Sequence, residues 1–137
     1  MQTSDHYRKL IDSLDFGEAV AVDENSHQVK FRDLTLLTRN DAERGTLRLS
    51  VRLGSPHEQL GYGLIPLLLE ANDEPATFMV GNLAIDADTN EVLLVREDRL
   101  VALDNATITE FCVLAQMWSE VVADYNENAR RKLAAAS

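Results

Sequence analysis

Residues 83-LAIDADTNEVLLV-95 place Asp86, Asp88 and Asn90, with Glu97 beyond them, where a calcium loop would hold its oxygen ligands. Such a loop needs glycine at its sharp central turn, and Glu91 stands there instead. Val92, Leu93, Leu94 and Val95 follow, residues that suit an extended strand better than a folded loop. Leu83 and Ile85 are equally apolar on the near side, and polar turn formers separate the two flanks. The stretch therefore reads as a β-hairpin and not as a metal site.

The same period of two appears upstream. Val29 and Phe31 alternate with Lys30 and Arg32, and Leu47, Leu49, Val51 and Leu53 alternate with Arg48, Ser50 and Arg52. Residues 34–39 supply a strand between them. Three antiparallel strands would then bury aliphatic side chains on one face and show Arg and Lys on the other.

Helical periods fill the intervals. Tyr7, Leu10, Ile11 and Leu14 share a face, Ser4 or Asp5 can cap the helix, and Gly17 marks its end. The run 55-SPHE-58 is a helix start: Ser55 and Glu58 can exchange capping bonds, and Pro56 suits the first helical position. This second helix would run to Asn72, with a kink or a fresh start between Tyr62 and Pro66, where proline removes a backbone bond and Gly61 and Gly63 weaken the turn. A long last helix carries the stripe Ile108, Phe111, Ala115, Trp118, Val122 and Tyr125, capped by Asp104 or by Thr107 with Glu110. The order is helix, three strands, helix, two strands, helix, an α+β layer fold.

With 137 residues and a 45% hydrophobic fraction the chain suits one domain with one core, residues 1–137, with no linker. A formal charge of -10 opposes nucleic acid phosphates, so no nucleic-acid partner is expected. The longest apolar run, 64–69, is interrupted by Pro66 and far too short to span a bilayer, so no membrane association is expected either. The N-terminus lacks the apolar core of a secretory signal and the one cysteine cannot form an internal disulfide, which fits a reducing cytoplasm. Charge is uneven: Lys30, Arg32, Arg39, Arg44, Arg48 and Arg52 crowd one segment, whereas Arg99 alone offsets the acids from Glu97 to Glu127.

Catalytic chemistry finds few candidates. His6, His27 and His57 are scattered, Gly61-Tyr-Gly63 lacks the spacing and lysine of a phosphate loop, and Cys112 lies beside the apolar stripe of the last helix, where it serves as a small packed side chain. No catalytic, metal or cofactor residue is assigned. The second helix is apolar on more than one stripe, with Leu60, Leu64, Leu67 and Leu68 on one side and Ile65 and Leu69 elsewhere. It is either sandwiched in the core or packed on both its own sheet and a second copy of the chain.

In sequence order, 64-LIPLLLEAN-72, 83-LAID-86, the turn, 91-EVLLV-95, Leu100, Leu103-Asp104 and the helix bearing Trp118 resemble a class I chaperone of bacterial type III secretion, over 10–125. That resemblance implies an α-β-β-β-α-β-β-α fold with a five-stranded, mainly antiparallel twisted sheet and three helices. It implies a bacterial cytoplasmic homodimer that binds the N-terminal segment of a secreted effector and keeps it soluble and ready for export, without ATP or cofactor. It gives Leu60, Leu64, Leu67 and Leu68 to the dimer interface and Leu10, Leu14, Phe31, Leu34, Leu36 and Leu49 to the effector groove. Residues 126–137, with Arg130, Arg131 and Lys132, extend past the match and are expected to form a frayed tail. The alternative reading is a small regulatory module that uses the same fold to bind another folded protein.

Overall fold

The computed structural model describes residues 2–54 and 81–136. The expected helix over 56–72, with Leu60, Leu64, Leu67 and Leu68, lies outside the described residues. The elements are α1 (Gln2–Asp12), β1 (Ala19–Asp23), β2 (Ser26–Phe31), β3 (Leu34–Asp41), β4 (Thr46–Gly54), β5 (Asn82–Ile85), β6 (Val92–Arg99), a 3-10 turn (Leu100–Ala102) and α2 (Asn105–Ala136).

Alternation decides the sheet. Leu47, Leu49, Val51 and Leu53 of β4 are buried while Arg48 and Arg52 between them are exposed. The strands lie in the order β1-β2-β3-β4-β6-β5, and every neighbouring pair is antiparallel. The hairpin read from 83–95 forms, with Leu83 opposite Leu94 and Ile85 opposite Val92. Among the described residues the sheet has six strands rather than the expected five. The additional one is β1, Ala19-Val-Ala-Val-Asp23, which folds back on β2 through the turn at Glu24 and Asn25.

Tyr7, Leu10, Ile11 and Leu14 of α1 and Ile108, Phe111, Ala115, Trp118 and Val122 of α2 join the inward strand residues in one core. Helices therefore cover one face of the sheet, as the stripe on 108–125 requires. Helix α1 starts at Gln2, so Ser4 and Asp5 fall within its first turns rather than at its cap, and it ends before Gly17. Among the described residues no helix is long and apolar enough to cross a membrane.

Gly17 has a different role from the helix stop expected of it. A Cβ added there would overlap the backbone oxygen of Lys30 in β2, an atom held by the sheet and unable to yield. Gly17→Ala should cost about 1–3 kcal/mol, the usual penalty of overpacking, read as a lower urea midpoint at unchanged slope. An unchanged midpoint would show that the segment before β1 can move away from β2.

Asp104, not Thr107, caps α2: its Oδ1 accepts the Thr107 amide and the Thr107 hydroxyl, each at 2.8 Å. The backbone amide bond first, then the hydroxyl bond, holds its carboxyl below the ordinary 3.8. A depressed folded pKa contributes stability above the unfolded value and loses it as pH falls through the folded one. Asp104→Ala should lower Tm at neutral pH and flatten the fall in Tm below about pH 4, whereas Asp104→Ser should keep the neutral Tm and lose only that acid dependence.

Candidate peptide-binding site

Strand β1 is an edge. Among the described residues it pairs with β2 alone, so the other side of its backbone is available as a template for another strand. Natural edges are commonly blunted by lysine or proline, but β1 has neither, and Val20 and Val22 are 61% and 57% exposed. The other two alternating positions are alanines, Ala19 and Ala21, which leave room beside the strand.

Beside this edge, α1 and the β1–β2 turn border a cleft of about 170 Å³ whose lining includes Tyr7, Arg8, Ala21, Asp23, Asn25 and His27. Its wall is fixed by a hydrogen-bonded chain: Tyr7 Oη lies 2.7 Å from His27 Nδ1 and 2.8 Å from Thr38 Oγ1. Thr38 Oγ1 also donates to the His27 carbonyl at 3.4 Å. Tyr7 Oη thus sits between a ring nitrogen and a hydroxyl, and either Tyr7 or Thr38 can supply the proton of the bond between them. Burial raises the Tyr7 pKa and the charge of Asp23 adds to the rise, against the opposing bond to Thr38, so the phenol is neutral at physiological pH. The Asn25 amide donates to Asp23 Oδ1 at 2.8 Å, which sets the turn at the mouth of the cleft.

The residues expected to line an effector groove separate into two groups. Leu36 and Leu49 are fully buried and belong to the core, while Leu10, Leu14 and Phe31 keep a few per cent of exposure at its margin. Leu34 is half-buried and pairs with Phe31 across the β2–β3 turn. Phe16 meets Phe31 edge to face at 5.9 Å, so Phe16, Phe31 and Leu34 form an apolar margin at one end of β2. Neither β1 nor the contact of Tyr7 with His27 was foreseen. The alternating Ala-Val-Ala-Val ahead of Asp-Glu-Asn-Ser was the available signal for the strand.

Asp86 of the Asp-rich turn is engaged by the turn's own amides and by β4. Asp86 Oδ1 accepts the amides of Asp88 at 2.9 Å and Thr89 at 3.4 Å, and Arg52 on β4 donates to Asp86, Thr89 and Glu91. The Asp88 amide bond chiefly, with Thr89 and Arg52, holds the Asp86 carboxyl below the usual carboxylate range. Asn90 takes the left-handed conformation, φ 59°, that asparagine tolerates in turns. Cys112 is buried on α2, and its thiol is pushed up to about 12 by burial, a packed side chain and not a nucleophile.

No family model and no curated protein sequence matches the chain. Solved structures do. A chain of the HopA1-SchA chaperone-effector complex superposes with TM-score 0.69 at 17% identity, covering 90% of this chain and 98% of its own. The Yersinia pestis type III secretion chaperone SycH, solved with a fragment of YscM2, gives 0.62 at 15% identity, over 88% of this chain and 98% of the other. The ExoU-SpcU complex of the Pseudomonas aeruginosa type III secretion system gives 0.56 at 19%, over 87% and 89%. The fold is the one found in these secretion chaperones, as the sequence resemblance implies.

Proposed function

We propose that the chain is a non-catalytic chaperone of type III secretion that binds an extended N-terminal segment of an effector and keeps it soluble for export, without ATP or cofactor. The observation that carries this reading is the bare apolar edge of β1 beside the Tyr7–His27 cleft, in a fold shared with chains solved in chaperone-effector complexes. An effector segment would pair with β1 as an added strand, with alternate side chains over Val20 and Val22 or toward Ala21 and the cleft. Leu10, Leu14, Phe31 and Leu34 would extend its apolar contact, with Leu36 and Leu49 beneath them.

Magnitudes decide where affinity comes from. Ordering an extended chain costs roughly 1–2 kcal/mol per residue, and each backbone bond returns about 0.5–1.5 kcal/mol. Pairing with the five residues of β1 cannot by itself hold a disordered segment. Burial of apolar side chains, at about 25 cal/mol per Å², must supply the surplus, which makes the exposed valines and the Phe16–Leu34 margin the determinants of choice. Homodimerisation through Leu60, Leu64, Leu67 and Leu68, and residence in a bacterial cytoplasm, belong to the same proposal.

Co-expression with an adjacent secreted protein tests it, followed by hydrogen exchange on the purified complex. The expected result is a stable complex lost on deletion of the effector's N-terminal region, with new amide protection over 19–23. A complex indifferent to that deletion, with a folded partner held elsewhere, would instead favour a regulatory module.

A further inference from the structure

The sheet face opposite the described helices holds two arginines against each other. Arg39 of β3 and Arg48 of β4 are register partners, both exposed on that face. Facing residues in an antiparallel pair have Cα atoms only about 4.5–5.5 Å apart, and like charges so placed destabilise a sheet. The nearby acids are otherwise occupied. Glu97, the register partner of Arg48, lies 3.8 Å from Arg44, and Asp41 accepts the Arg44 amide. Asp86 and Glu91 are taken by Arg52. Among the described residues Arg39 and Arg48 have no ion pair, in a chain whose formal charge is -10.

The adjoining row on this face is Leu37, Ser50 and Val95, and Leu37 is 40% exposed. Together the rows form an open depression of about 470 Å³ that includes Leu37, Arg39, Arg48, Ser50 and Leu93. Both rows belong to the same strands, so they are two residues apart, roughly 6.5–7 Å along β3.

We propose that this face is a second docking surface, for an extended acidic segment of a partner protein. One carboxylate lies between the guanidinium groups of Arg39 and Arg48, and an aliphatic side chain two residues along covers Leu37. A carboxylate relieves the repulsion and accepts the charge-assisted bonds that two planar guanidinium groups offer. A nucleic acid fits poorly, because a continuous run of phosphates would meet Asp41, Asp86 and Glu97, which line the same depression.

The proposal is independent of effector binding at β1, and its test keeps the two apart. The full chain, labelled with ¹⁵N, is titrated to millimolar concentration with an extended peptide bearing Asp-Thr-Leu, and with controls bearing Asn-Thr-Leu or Asp-Thr-Ser. Saturable shifts confined to 37–39 and 48–50 are expected for the first peptide. Affinity should fall tenfold or more in Arg39→Ala and Arg48→Ala, and remain unchanged in Arg130→Ala and in Val20→Asp. Arg39→Ala should raise the Tm of the free protein, since it relieves a like-charge pair, whereas Arg48→Ala also removes the charge facing Glu97 and should raise it less. No shift on this face at millimolar peptide, equal binding by the asparagine control, or a Tm that falls in both variants overturns the proposal. So does stronger arginine-dependent binding of oligo(dT), which would make the site one for phosphate chains, or arginine-dependent self-association, which would make it a contact between copies.

Discussion

Val20→Asp combined with Val22→Asp should weaken capture of the effector segment about a hundredfold and leave the fold intact. Both valines are more than half exposed, so the free protein gains little from their apolar surface and loses little when carboxylates replace them. Surface changes of this kind usually stay within about 0.5 kcal/mol of stability. The complex is different. An added strand would cover both side chains, and full burial of a valine is worth about 1.5 kcal/mol or more. Two valines partly covered, plus the cost of drying two carboxylates, sum to about 3 kcal/mol, which is two orders of magnitude in Kd. Calorimetric titration of a peptide from the effector's N-terminal region reads the loss, and thermal melts confirm that the variant is folded. An unchanged Kd would move the binding site away from β1 and leave the edge strand without a role in recognition.

The parts legible in the sequence are those whose periodicity is enforced by a buried face. Residues 47–53 alternate because β4 lies between β3 and β6 with a helical layer on one side, so each inward position must be aliphatic. The 83–95 hairpin and the stripe from Ile108 to Tyr125 are readable for the same reason. Strand β1 escapes because it is short and at the edge: its alternation is Ala against Val, and most of it stays in water, so hydrophobic contrast marks it weakly. The cleft escapes because the hydroxyl of Tyr7 meets His27 across 20 residues and Thr38 across 31, contacts that no local pattern encodes. The opposed arginines are visible only once the turn over residues 42–45 sets the β3–β4 register, with Gly45 at φ 65° and the Arg44 amide on Asp41. The sequence shows a basic segment there, and the register turns it into a facing pair.

Alanine substitutions among the leucines expected to line an effector groove should divide sharply between stability and binding. Leu36 and Leu49 have no exposed surface, and they lie on the inner faces of β3 and β4. Removing three carbons there forfeits transfer energy and leaves a cavity, so Leu36→Ala and Leu49→Ala should each lose about 2–5 kcal/mol of unfolding free energy. For a domain of this size that is a large share of a total that is typically about 5–15 kcal/mol. Any fall in effector affinity in these two variants should disappear once the unfolded fraction is subtracted, because neither side chain reaches the surface. Leu34 should behave in the opposite way. It is half-buried beside Phe31, so Leu34→Ala gives up less contact within the chain, about 1 kcal/mol, while it removes apolar surface that a bound segment would cover. Urea unfolding and peptide titration on the same preparations separate the two effects. If Leu49→Ala melts like the wild type and loses affinity for the effector, then β4 opens to the ligand and the core described for the free chain is itself the groove. If Leu34→Ala binds as well as the wild type, recognition is confined to β1 and its cleft.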